Sequence, residues 1–224
     1  MSKKKQVLFS KKHILIDDKT QSVASEAFKS VRTNLLSTLS TYENHAYSKI
    51  LCFTSPELGE GCTLNCVNIA VSFAKMGAKV LLIDTDMRQS KVHEFFDIPA
   101  APGLSEYLAG SATIQQAVVS YSDIANLSIL PSGAIPPNPT ELILSTQFND
   151  LLNLAQKEYD YVFIDTPPVC SVTDAAIISN KTLGAILICK SGHTKSDVAK
   201  KAKHIIEQAG GKIIGTILNG VSSK

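Results

Sequence analysis

No apolar run in the 224 residues approaches the ~18–20 that a membrane-spanning helix needs. The start, MSKKKQVLFSKKH, is basic but has neither the apolar core nor the cleavage site of a secretory signal. Cysteine is scarce. The five residues Cys52, Cys62, Cys66, Cys170 and Cys189 are odd in number and contain no CxxC pair. This usage excludes a disulfide framework and a cysteine-type zinc site, and it fits a reducing, cytoplasmic setting. A large excess of either charge is also lacking, since the net charge is only +2. Lys3, Lys4, Lys5, Lys11 and Lys12 crowd the first dozen residues; setting them aside leaves 17 basic against 20 acidic residues. The body is therefore not built as a nucleic-acid surface. The basic start reads either as a solvated end or as a segment that touches anionic lipid or a membrane partner. Neither an internal repeat nor a low-complexity tract is present.

What is present suits one soluble α/β domain: 44% hydrophobic and 19% charged residues in a chain of ordinary domain length. Residues 1–20 read as a basic flexible arm and 21–224 as a single domain. In 22–40 the apolar positions Ala24, Phe28, Val31, Leu35 and Leu39 recur at three- and four-residue spacing, which predicts an amphipathic helix capped by Ser22 or Ser25. From residue 49 a second rhythm begins. Short β-rich runs (49–55, 79–86, 127–133, 161–167, 184–192 and 212–220) alternate with helical patterns at 63–76, 103–110, 139–157, 173–180 and 194–209. Near-continuous apolar strands alternating with helices predict a mostly parallel sheet covered on both faces. The Pro-rich stretch PSGAIPPNP reads as a stiff loop leading into a helix that starts near Pro139.

The chemistry is concentrated after the first run. Thr54-Ser55 passes into Pro56-Glu57-Leu58-Gly59-Glu60-Gly61-Cys62-Thr63-Leu64 and then into a helix. This strand–loop–helix setting is the one a phosphate-binding loop requires. Gly59 and Gly61 let backbone N–H groups converge on an anion, and the helix start adds its positive end. Thr63 stands where a hydroxyl ligates Mg²⁺. Against the pattern G-x-x-x-x-G-K-[ST], however, Pro56 occupies the first glycine position and Cys62 the lysine position. Two further runs end in carboxylates: Leu82-Ile83-Asp84-Thr85-Asp86-Met87-Arg88 and Phe163-Ile164-Asp165-Thr166-Pro167-Pro168. Carboxylates at the C-terminal ends of parallel strands beside a phosphate loop make a metal-and-phosphate arrangement.

Together GEG-x-T (59–63), LLIDTDMR, SGAIPPNPTELI (132–143), FIDTPP followed by VTDAA, and the terminal GTILNGV resemble the bacterial tyrosine kinases of capsule and exopolysaccharide synthesis, relatives of the deviant-Walker P-loop ATPases. The resemblance implies a P-loop NTPase-like α/β fold, ATP or ADP with Mg²⁺, and transfer of phosphate to protein tyrosine. It implies nucleotide contacts from Gly59, Glu60, Gly61, Cys62, Thr63, Leu64 and Asn219, with Asn219 at the purine. It also implies catalytic roles for Asp84, Asp86 and Arg88, and Mg²⁺ held by Thr63, Asp84 and Asp165. Glu26, Lys29 and Arg32 match the family's oligomerisation signature, which implies a homo-oligomer. The implied partner is the cytoplasmic segment of a membrane adaptor of the polysaccharide co-polymerase type, which would recruit a cytoplasmic protein to the inner face of the plasma membrane. A neutral thiol at residue 62 cannot stabilise the transferring phosphoryl group as the loop lysine does. The expectation is accordingly weak phosphotransfer. The alternatives are a pseudokinase scaffold and a partition-type dimerising ATPase, the latter disfavoured by PPNPTELI and the Glu26–Arg32 helix.

Overall fold

The computed structural model describes residues 14–16, 22–42, 45 and 47–221. Its centre is a seven-stranded sheet in the order β3-β4-β2-β5-β1-β6-β7. The strands are β1 (Ile50–Thr54), β2 (Val80–Asp84), β3 (Val119–Ser120), β4 (Leu127–Leu130), β5 (Tyr161–Asp165), β6 (Gly184–Lys190) and β7 (Ile213–Asn219). All neighbours pair in parallel except β3, which runs antiparallel to β4 at one edge. That strand is two residues long, too short for an alternation to register in the sequence. β4 stops at Leu130 because Pro131 has no N–H to continue a ladder.

Parallel strands need crossovers, and helices supply them on both faces. One face carries α1 (Val23–Ser40), α2 (Cys62–Lys75) and the short α3 (Val92–Phe96), whose Phe28, Leu35, Leu39, Ile69, Phe73 and Phe95 pack on Phe53, Leu82 and Phe163 of the sheet. The opposite face carries α4 (Leu104–Leu108), α5 (Ile114–Ala117), α6 (Pro139–Leu144), α7 (Thr146–Glu158), α8 (Asp174–Asn180) and α9 (Ser196–Gln208) over Cys52, Ile83 and Ile164. Burial of both faces explains why the central strands carry apolar side chains without alternation. Each fully buried Phe, Leu or Ile contributes roughly 1.5–3 kcal/mol. Among the described residues no helix is long and apolar enough to cross a membrane.

One local expectation is corrected, and two others become more specific. The helix predicted over 139–157 is two helices that meet at Ser145, which is extended (φ −63°, ψ 160°) and caps the second by accepting from the Phe148 N–H at 3.3 Å. A serine able to bond its own backbone competes with helix continuation there. Ser22, not Ser25, caps α1, accepting from the Ser25 N–H at 3.1 Å. Within the span read as a loose arm, Ile16 is buried; the Leu15 N–H donates to Asn68 Oδ1 at 2.6 Å, and Lys75 Nζ donates to the Ile16 carbonyl at 2.9 Å. Residues 14–16 are thus docked on α2, while the clustered lysines of the arm lie outside the described residues.

Candidate functional site

Register brings the carboxylates together. Asp84 ends β2 directly opposite Asp165 at the end of β5, and Asp165 in turn faces Phe53 of β1. Hydroxyls lock these strand ends: Thr85 Oγ1 donates to the Asp165 carbonyl at 2.7 Å, Thr166 Oγ1 to the Phe53 carbonyl at 2.7 Å, and Thr54 Oγ1 to the Pro167 carbonyl at 2.9 Å. The loop between β1 and α2 rises over that edge. Gly61, the N-cap of α2, adopts φ +93° and offers no side chain to the helix start. The first N–H groups of α2 are therefore without a side-chain cap and open toward the cleft, a natural cradle for phosphate.

Three side chains brace the loop from behind. Glu60 is fully buried, and its carboxylate accepts from the Glu57 N–H at 2.8 Å and from the Thr194 hydroxyl. Asn219, at the end of β7, donates from Nδ2 to the Glu60 carbonyl at 2.9 Å. Asn65 Nδ2 donates to the Gly61 carbonyl at 2.8 Å. Glu60 is thus part of the loop's foundation, with its negative charge turned away from the cleft. Thr194 carried no signal in the sequence, because its role depends on where β6 ends.

The cleft encloses about 250 Å³ and is lined by Gly59, Gly61, Cys62, Thr63 and Leu64 from the loop and by Asp86, Gln89, Lys91 and Phe95 from the segment after β2. Cys62 Sγ donates to Asp165 Oδ1 at 3.2 Å, and the Thr63 hydroxyl lies close enough to pull the same carboxyl downward. Burial, then the neighbouring Asp84 charge, pushes the Asp165 carboxyl up. Burial followed by the Asp165 charge pushes the Cys62 thiol well above its ordinary range, which keeps it a neutral donor. Two more buried thiols, Cys52 and Cys66, share this environment, and burial pushes Cys52 up to about 12.

Asp84 is wholly buried and organises the next loop. Oδ1 accepts from the Asp86 N–H at 3.0 Å; Oδ2 accepts from Ser90 Oγ at 2.9 Å and from the Lys91 and Val92 N–H groups at 3.3 and 3.2 Å. Burial raises its carboxyl, although these donors pull the other way. Asp86 faces the cleft, its carboxylate held by the Arg88 and Gln89 N–H groups at 3.2 and 2.9 Å. The Arg88 guanidinium is committed elsewhere, paired with buried Asp174 and donating to Thr140 Oγ1 at 3.1 Å, while Thr140 Oγ1 donates to Asp174 Oδ1 at 2.7 Å. Arg88 therefore ties the β2 loop to the starts of α6 and α8. Asp174 lies in the VTDAA motif, yet its partner could not be named before the fold brought Arg88 to it.

The groups present fit a nucleotide and Mg²⁺. An uncapped helix start and left-handed glycines accept phosphate, and a hydroxyl and a carboxylate converge at Thr63 and Asp165. Among the described residues no three acidic, His or Cys side chains gather as metal ligands. Mg²⁺ suits such a site, since it draws much of its octahedron from water and substrate phosphates. The predicted oligomerisation residues lie apart on α1. Lys29 Nζ pairs with Glu26 Oε1 at 2.7 Å in the open, whereas Arg32 turns inward and donates to the Ser72 carbonyl and hydroxyl at 2.8 and 3.2 Å.

Comparison with known proteins follows the same outline. Residues 48–191 match a family model described as an AAA domain. The putative tyrosine-protein kinase CapB of Staphylococcus aureus is 36% identical over 219 residues, covering 98% of this chain and 92% of that protein. The crystal structure of the chimerical protein CapA2B2 superposes with a TM-score of 0.86 at 35% identity, over 96% of this chain and 94% of that one. The kinase domain of the Escherichia coli tyrosine kinase ETK superposes with a TM-score of 0.87 at 32% identity, over 94% and 82%. With the phosphate loop, the paired strand-end carboxylates and these relatives in agreement, the chain belongs to the bacterial tyrosine kinase family of capsule and exopolysaccharide synthesis.

Proposed function

We propose that this chain binds ATP and ADP with Mg²⁺ in the cleft and transfers phosphate to protein tyrosine only weakly. Backbone N–H groups at the start of α2 hold the phosphates, Thr63 and Asp165 hold the metal with Asp84 behind them, and Asp86 faces the incoming hydroxyl. Mg²⁺ held by Thr63 and Asp165 would neutralise charge on the phosphates. Asn219 fixes the loop from the purine side. Arg88 acts by positioning the Asp86 loop through Asp174 and Thr140.

One observation carries the proposal of weakness. The side chain at the lysine position is a neutral thiol spent on Asp165. A loop lysine serves the outer phosphates, so ATP suffers more than ADP, and each ~1.4 kcal/mol lost is a factor of ten in affinity. Nucleotide titration with and without Mg²⁺, on the wild type and on Cys62→Lys, tests this reading. Cys62→Lys is expected to raise ATP affinity by about an order of magnitude or more and ADP affinity less. Robust wild-type phosphotransfer to a supplied tyrosine peptide, unimproved by Cys62→Lys, would refute it.

The same cysteine favours a second reading, a pseudokinase scaffold that assembles on its partner without transferring phosphate; absence of transfer in both proteins would select it. In either case the proposed partner is the cytoplasmic segment of a membrane adaptor. It would bring the chain to the inner face of the membrane, with self-association through α1.

A further inference from the structure

We infer that Lys91 supplies the positive charge toward the outer phosphates that the loop of this chain lacks. The inference rests on the reading of the cleft as a nucleotide site. The two cations that follow the Asp84–Asp86 motif in the chain are Arg88 and Lys91, and the fold separates them. Arg88 closes an ion pair with buried Asp174 and a hydrogen bond with Thr140, and it does not line the cleft. Lys91 does line it, together with Gly61, Cys62 and Thr63, and among the described residues it is the only lysine or arginine there. No described residue engages its ammonium in an ion pair.

The backbone beneath Lys91 is fixed. Its N–H and that of Val92 donate to Asp84 Oδ2, and Ser90 Oγ donates to the same oxygen. Lys91 is also the N-cap of α3, where an ammonium, having no acceptor, makes no bond to its own helix start. The consequence is a flexible cation anchored on a carboxylate-organised turn, lining the same cleft as the uncapped start of α2. The cleft otherwise presents Asp86 and, beside it, buried Asp165, so an added polyphosphate meets carboxylates at close range. A cation on that wall offsets this repulsion, and an ammonium acts on phosphate as a mobile point charge that does not need one fixed geometry.

The test is a set of equilibrium titrations with ATP and with ADP, at fixed Mg²⁺ and fixed salt, on the full chain. The proteins are the wild type, Lys91→Met, Lys91→Arg, Cys62→Lys and the Cys62→Lys/Lys91→Met double variant. Lys79→Met serves as a control, because Lys79 sits across the sheet end near Glu158 and Tyr159. Lys91→Met should weaken ATP roughly tenfold or more, the loss of one charge-assisted contact, and ADP less. Lys91→Arg should restore most of the affinity, and Lys79→Met should leave it unchanged. In the Cys62→Lys background the effect of Lys91→Met should shrink, because two groups that serve the same phosphates are not additive. Wild-type binding that is indifferent to Lys91→Met overturns the inference and leaves the nucleotide reading intact. Equal losses in Lys91→Met and Lys91→Arg assign Lys91 a structural role and also overturn it. Absence of ATP binding by the wild type, whether or not Cys62→Lys gains it, overturns both.

Discussion

Asn219 Nδ2 donates to the Glu60 carbonyl at 2.9 Å, joining the last strand of the sheet to the phosphate loop 159 residues earlier in the chain. The same amide sits over Gly61, where an added Cβ would fall 2.2 Å from Nδ2. Gly61 also has φ +93°, which side chains rarely tolerate.

Gly61→Ala should therefore meet strain from two sources, costing about 1–3 kcal/mol for the backbone alone. Asn219→Ala removes the tie but also relieves the crowding. The double variant should be less destabilised than the sum of the single ones when midpoints of denaturant unfolding are compared. Strict additivity would mean that the two residues do not press on each other.

The Arg88–Asp174 pair is asymmetric, because the Asp174 side chain is fully buried and that of Arg88 is 34% exposed. Arg88→Met leaves a buried carboxylate with only Thr140 as partner and should cost about 3 kcal/mol. Asp174→Asn leaves a guanidinium that can turn to water and should cost less. Urea unfolding of both variants measures the difference, and a larger loss in Asp174→Asn would contradict this account.

Thiol chemistry should follow burial. Cys170 is half-buried, and its thiol is raised by partial burial. Cys62 touches the cleft but is held neutral beside Asp165. Alkylation of the native protein, followed by peptide mass spectrometry, should label Cys170 first, Cys62 slowly, and Cys52 and Cys66 only after unfolding. Added nucleotide should slow Cys62 and leave Cys170 unaffected. Rapid labelling of Cys62 would show that its bond to Asp165 is not kept in solution.

Glu106 anchors the Pro-rich loop. Its carboxylate accepts from the Gly103 N–H at 2.9 Å, the Ser105 hydroxyl at 3.0 Å and the Ala134 N–H at 3.0 Å. Partial burial pushes this carboxyl up, but the backbone donors outweigh it and hold the group below its ordinary 4.5. A carboxyl depressed in the folded state contributes stability above its unfolded pKa and loses it as pH falls through the folded one. The wild type should thus lose stability from about pH 4.5 downward more steeply than Glu106→Gln. Parallel stability curves for the two proteins across that window would remove the role given to Glu106.

On α1, Arg32→Ala should destabilise the monomer by about 1.5–3 kcal/mol, since it breaks charged hydrogen bonds to Ser72. Exchanging Glu26 and Lys29 should change stability by less than ~0.5 kcal/mol, because that pair is exposed. If α1 is the association surface, the exchange should nonetheless shift sedimentation toward monomer. Sedimentation identical to the wild type would place the surface elsewhere.

The strand runs, the phosphate loop, the strand-end aspartates Asp84 and Asp165 and the adjacent Asp86 were legible in the linear sequence, because each is a local signal. Apolar continuity marks a strand buried on both faces, glycines mark a loop that must adopt left-handed backbone, and a carboxylate after an apolar run marks a sheet edge. The substitution at Cys62 was equally plain, since position within a loop motif is a matter of spacing. What the sequence could not supply was the partner of each polar group. Arg88 and Lys91 are three residues apart and alike in charge, yet one is bound to Asp174, 86 residues away, and the other faces the cleft. Glu60 reads as a charge beside a phosphate site until β6 delivers Thr194 beneath it. Arg32 reads as one side of a charged helix face until α2 presents Ser72. Local propensity and pattern set which elements form. Only the sheet order and the packing of helices on it decide which donors and acceptors meet, because those distances depend on parts of the chain far apart in sequence.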